Sequence, residues 1–198
     1  MDEKKVLLYN LDENSNNGDI VMNIISELGF EIVTIDKCDL HKKVGFLIGL
    51  ERFEGFEDKK ESNETQKDDF EESIYLNFET VIFSGFNSVE IDLFLEKFNE
   101  NKVEIPLKAT VTEINKKWTL AYLLEQIADE RKSYIAYFEL KKVMSEAKEY
   151  LKNVKKDKRK NLQNELKNTS ILMKKKGLDE TNFKKAIKRI KDEMEKLK

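Results

Sequence analysis

Short apolar runs alternate with stretches of helical periodicity over the first 130 residues. Val6-Leu7-Leu8-Tyr9 is a run suited to a strand covered on both faces. A polar turn from Asn10 to Gly18 follows. Ile20, Ile24, Ile25 and Leu28 then recur at helical spacing, and Gly29 stands where a helix stops. Glu31-Ile32-Val33-Thr34-Ile35 reads as a second strand. Leu40 to Leu50 reads as a shorter helix with Val44, Leu47 and Ile48 on one face. The order then recurs. Thr80-Val81-Ile82-Phe83 is a strand and Ser84-Gly85-Phe86-Asn87 a turn. Ile91, Phe94, Leu95 and Phe98 mark a helix starting at Ser88. Pro106 to Thr112 is a strand, and Thr119 caps a long helix carrying Leu120, Leu123, Leu124 and Ile127.

Each half is strand–helix–strand–helix, and strands joined through helices tend to pair in parallel. The pattern predicts an α/β fold: a duplicated unit forming a small, mostly parallel four-stranded sheet, followed by a C-terminal helical extension. Residues 1–130 make the α/β domain, with units at 1–50 and 80–130. Residues 131–198 make the tail. There Tyr137, Leu140, Met144, Ala147, Leu151 and Val154 repeat at alternating steps of three and four. So do Leu162, Leu166, Thr169 and Met173, and then Phe183, Ile187, Ile190, Met194 and Leu197. Gly177 separates the last two stripes, and Asp179 or Thr181 can cap the final helix. Stripes this narrow predict a two- or three-helix bundle or a coiled coil.

Charge divides the chain at the same place. Residues 1–130 hold 14 Lys+Arg and 29 Asp+Glu, a net −15, whereas residues 131–198 hold 22 and 10, a net +12. The whole-chain charge of −3 conceals this split. Residues 51–79 carry 11 acids and 4 bases. With almost no apolar residues between Glu57 and Ser73, this stretch reads as an acidic mobile linker.

Val81-Ile82-Phe83 with Ser84-Gly85-Phe86, then Ile105-Pro106-Leu107-Lys108-Ala109, Thr112-Glu113-Ile114-Asn115 and Trp118-Thr119-Leu120 with Leu123-Leu124 form a distinctive series. On these residues the stretch 80–130 resembles a small bacterial family, domain of unknown function 3783. The preceding half looks like the strand–helix region such proteins carry upstream. The resemblance implies a domain boundary before the basic tail and no particular reaction.

The sequence holds no phosphate-cradling or dinucleotide glycine motif. Ser84-Gly85 lacks the flanking glycine of a nucleophile elbow. Cys38 and His41, the single cysteine and histidine, make at best half a zinc site. No catalytic residue, metal or cofactor is therefore expected. Open parallel sheets bind ligands beyond the carboxyl ends of their strands. Those ends supply a candidate ligand edge of Asn10, Asp12, Asp36, Ser84, Gly85, Thr112 and Asn115, with Lys108 as a candidate binding-face lysine. Asp12 and Asp36 form a loose acidic pair of a kind that holds a divalent cation. Ordinary turn chemistry explains the same residues, and Trp118 reads as a hydrophobic staple before the long helix.

The tail offers candidate phosphate contacts in Lys155, Lys156, Lys158, Arg159 and Lys160, in Lys174, Lys175 and Lys176, and in Lys184, Lys185, Lys188 and Arg189. Lys far outnumbers Arg, which disfavours base readout. Tyr134, Tyr137, Phe138 and Phe183 fall largely on the apolar stripes, which leaves few rings for base stacking. No apolar run reaches a membrane span, and the opening Met-Asp-Glu-Lys-Lys is no secretory signal. The sequence thus points to a cytoplasmic, non-enzymatic interaction or self-association module working through its basic tail. The alternatives are an RNA- or ribosome-associated accessory protein and a small-ligand sensor or enzyme using the strand ends.

Overall fold

A computed structural model describes residues 3–15, 17–53 and 74–197. The core of the expected acidic linker lies outside the described residues. Two compact units appear, 1–128 and 129–198. Among the described residues no helix is long and apolar enough to cross a membrane.

The first unit runs β1 (Lys5–Tyr9), α1 (Gly18–Glu27), β2 (Glu31–Ile35), α2 (Val44–Leu47), β3 (Thr80–Ser84), α3 (Ser88–Glu100), β4 (Leu107–Thr110) and the start of α4 (Leu120–Asn153). The sheet order is β2-β1-β3-β4. β1 pairs with β2 in parallel and β3 with β4 in parallel, while the central β1–β3 pair is antiparallel. The fold is therefore α/β, with a mixed, mostly parallel sheet made of two βαβ halves that face opposite ways. Leu40 to Leu50 holds only four α-helical residues. A 3₁₀ turn at Lys37–Asp39 precedes them, because Asp36 and Asp39 close a reciprocal capping box there.

The halves are related by an approximate two-fold axis. Leu7 pairs with Ile82, 75 positions on, at the centre of the antiparallel ladder. Lys43 bridges Thr119, 76 positions on. Equivalent residues meeting each other in this way mark the axis. Around it Val44 N–H donates to Trp118 O at 3.0 Å and Leu120 N–H to Lys42 O at 2.9 Å. Gly45 fits beside the axis because it lacks a side chain. A Cβ there would sit 2.7 Å from the Phe53 ring and 2.9 Å from the Lys116 carbonyl oxygen.

Alternation along β1 and β3 feeds two cores. Val6, Leu8, Val81 and Phe83 face α1 and α3 and join Phe86, Phe94, Phe98 and Ile105. Phe94 is fully buried, with ring centroids of Phe83 at 5.1 Å and Phe86 at 5.4 Å. On the other face Leu7, Tyr9 and Ile82 join Val44, Leu120, Leu123 and Leu124. Trp118 packs at the border of this second core, edge-on to Tyr122 at 5.0 Å.

The second unit contains the remainder of α4, then α5 (Lys160–Leu172) and α6 (Glu180–Glu195). Its core is Ala136, Leu140, Val143, Met144, Ala147, Leu151, Leu162, Leu166, Phe183, Ala186, Ile187 and Ile190. The three narrow stripes thus satisfy one another in a three-helix cluster. Asp179 rather than Thr181 caps α6, accepting from Asn182 N–H at 2.8 Å. α4 carries no break near residue 130. Thr119 does cap it, accepting from Tyr122 N–H at 3.3 Å.

Candidate functional site

The antiparallel centre of the sheet decides where the strand ends go. β1 and β2 finish at one end of the sheet, and β3 and β4 finish at the other. Asn10, Asp12 and Asp36 therefore share one end, while Ser84, Gly85, Thr112 and Asn115 share the opposite one. The eight candidate residues form no single edge.

Most of these side chains are engaged in shaping the backbone. Asn10 sits at φ 53°, in the left-handed region that Asn tolerates. Its Nδ2 donates to Leu76 O at 2.7 Å, and Tyr9 Oη donates to the same carbonyl at 3.1 Å. Burial pushes the Tyr9 hydroxyl above its ordinary pKa, against the lowering effect of its hydrogen bond with Asn10. Asp12 accepts from Asn14 N–H at 2.8 Å in an Asx turn. Asp36 accepts from Cys38 N–H at 2.6 Å. At the opposite end Thr112 and Asn115 reciprocate: Thr112 N–H donates to Asn115 Oδ1 at 2.7 Å and Asn115 N–H to Thr112 Oγ1 at 3.2 Å. Ser84 is buried, and Gly85 takes φ 79°, a turn that disfavours a side chain. Lys108 is exposed on edge strand β4, and its Nζ donates to Ile105 O at 2.6 Å. Among the described residues no group of three or more His, Cys, Asp or Glu is placed to hold a metal ion.

Asp36-x-x-Asp39 and Thr112-x-x-Asn115 stand 76 positions apart and make the same turn after equivalent strands. Lys4 and Glu90 close a 2.5 Å ion pair near the end of β3. That lysine, with the Asn87 N–H behind it, holds the Glu90 carboxyl below its usual range.

The basic residues of the tail are dispersed. Lys155 to Lys160 lie where α4 passes into α5, and Lys174 to Lys176 lie where α5 passes into α6. The thirteen residues of α5 separate these turns by about 20 Å. Arg159 is drawn inward: its Nε donates to Val154 O at 2.5 Å and its Nη2 to Lys152 O at 3.1 Å, closing the end of α4. Lys184 pairs with Glu180 at 2.6 Å and Arg189 with Glu165 at 2.7 Å. Lys185 and Lys188 are exposed on α6.

The most exposed apolar surface of the second unit lies elsewhere, on α4. Tyr134 is 63%, Ile135 54% and Phe138 47% exposed. At 100° per residue these three fall opposite Leu140, Val143 and Ala147, which face the three-helix core. The rings of Tyr134 and Phe138 meet at 4.6 Å between centroids, tilted by 50°, and Lys141 Nζ lies 5.5 Å from the Phe138 ring centroid. Tyr137 and Phe183 join the core edge at 5.6 Å. Tyr134 and Phe138 are therefore corrections to the expectation that these aromatics lie on the buried stripes. The signal was available in the sequence, since Phe138 and Leu140 are two positions apart and cannot share a helix face.

No curated protein and no solved structure matches the chain. Residues 79–134, which take in β3, α3, β4 and the first turns of α4, match the family described as domain of unknown function DUF3783.

Proposed function

We propose that this protein is a non-catalytic interaction module that self-associates through its C-terminal helical unit. The carrying observation is the outward face of α4, where Tyr134, Ile135 and Phe138 stay exposed although the helix has a complete core on its other side. Three large apolar side chains within five positions are more than the scattered exposure of an ordinary surface. The strand-end polar groups support the same reading, because their hydrogen bonds go to turns and caps.

Light scattering on the full chain across concentration tests it. The expected result is a mass rising toward a dimer, and a Phe138→Glu variant that stays monomeric with unchanged helicity. A wild-type chain that remains a monomer up to about 1 mM, where even a contact of ~4 kcal/mol would register, overturns it. Binding to the phosphate backbone is the second reading. It draws on the exposed Lys174, Lys175 and Lys176 at one turn of the unit. It requires RNA retention that falls steeply with salt, and retention that ignores salt removes it.

A further inference from the structure

We infer that two copies of this chain pair through α4 in antiparallel orientation about a two-fold axis near Ile135, an inference that rests on the self-association reading above. The argument is the placement of charge around the exposed apolar seam. Taking helical periodicity from Arg131, Glu130 and Lys141 fall on one flank of Tyr134, Ile135 and Phe138, and Lys132 and Glu139 fall on the other. All four are exposed. In an antiparallel pair each flank meets its own counterpart, with residues equidistant from the axis opposed. An axis between positions 135 and 136 then sets Glu130 of one copy against Lys141 of the other, and Lys132 against Glu139. The axis repeats both contacts, so four opposite-charge pairs line the flanks, while the exposed Arg131 of each copy, on the seam itself, comes near the other copy's Lys142 and opposes them in part. The same register lays Tyr134 of one copy beside Phe138 of the other.

A parallel pair joins opposite flanks instead. It sets Glu130 against Ile135 and Tyr134 against Glu139, and keeps only Lys141 against Glu146 as a favourable pairing. The antiparallel pairs are formable at small cost. Glu139 now meets Lys191 at 3.4 Å and Lys132 meets Asp129 at 2.8 Å, both on the exposed surface where ion pairs exchange readily. The three apolar side chains offer roughly 300 Å² per copy, below the ~800 Å² of a stable interface. The dimer is accordingly weak, concentration-dependent and favoured by low salt.

Charge exchange tests the arrangement in the full chain. Glu130→Lys alone and Lys141→Glu alone are each expected to weaken the dimer about 3–30-fold, since each change places two like-charge contacts across the axis. The double variant Glu130→Lys/Lys141→Glu is expected to return to within about threefold of the wild type. Unchanged thermal midpoints for all three variants separate association from folding. A wild-type dimer without rescue in the double variant overturns the antiparallel register and leaves self-association standing. Rescue by Lys141→Glu/Glu146→Lys instead identifies the parallel arrangement and overturns this one. A wild-type monomer at every concentration overturns both readings together.

Discussion

Replacing Leu140 by Ala should unfold the helical unit while the sheet stays folded. Leu140 is fully buried in a cluster drawn from three helices, with Ala136 and Met144 on α4, Leu162 and Leu166 on α5, and Phe183 and Ile187 on α6. Removing its isobutyl group from such a site costs about 2–5 kcal/mol through lost transfer energy and the cavity left behind. A unit of this size is stable by about 3–10 kcal/mol, so the substitution removes a large share of the total. The three apolar clusters have no residue in common, and on α4 the clusters of the first unit reach from Leu120 to Ile127 and no further. Two probes separate the responses. Far-UV ellipticity is dominated by the helices, whereas the fluorescence of Trp118, the single tryptophan, reports the border of the second core. In a urea titration of Leu140→Ala, ellipticity should fall at low denaturant while Trp118 emission keeps the wild-type midpoint. Coincident loss of both signals at one lowered midpoint would refute the reasoning, since it would show that α4 couples the cores into a single cooperative transition.

Gly45→Ala should destabilise the first unit by about 1–3 kcal/mol, because its Cβ would collide with the Phe53 ring and the Lys116 carbonyl; the urea midpoint followed by Trp118 measures this. Asn10→Ala loses both the left-handed backbone preference and the donor to Leu76 O, for roughly 2–3 kcal/mol, whereas Asn10→Gly keeps the backbone preference and should cost about half as much. Equal losses for the two would deny the backbone contribution. Glu90, Glu113 and Asp179 have folded-state pKa values lowered respectively by Lys4, by Lys116 and by the Asn182 backbone N–H. Their stabilisation is complete above the unfolded carboxylate range and disappears as pH falls through the folded values. Chemical denaturation at a series of pH values should therefore show stability falling below about pH 4.5, and falling less steeply in Glu90→Gln.

The legible parts of the fold were the locally encoded ones. The apolar runs at Val6–Tyr9 and Thr80–Phe83 became β1 and β3. The stripes through Leu140, Leu162 and Ile187 became the core of the helical unit. What local patterns do not carry is direction. A right-handed βαβ half can join its copy with the central strands parallel or antiparallel, and the apolar alternation of Leu7 and Ile82 is the same in both. That choice carried the expected ligand edge with it, splitting Asp12 and Asp36 from Ser84 and Thr112. Helix length misled for Leu40–Leu50, where Asp36 and Asp39 spend the preceding residues on a tight cap. On α4 the reading of aromatics as buried failed because one long helix carries two apolar faces, and only periodicity counted from Leu140 separates them.

The meeting of Leu7 with Ile82 at the centre of the ladder has a consequence for anyone trimming the protein. The stretch that carries the family match begins at residue 79. Excised alone, it would leave β3 with one naked hydrogen-bonding edge and strip half the lining from both cores. Such a fragment would be a template in search of its missing mate. The rotational kinship of the halves makes another copy of itself a ready substitute.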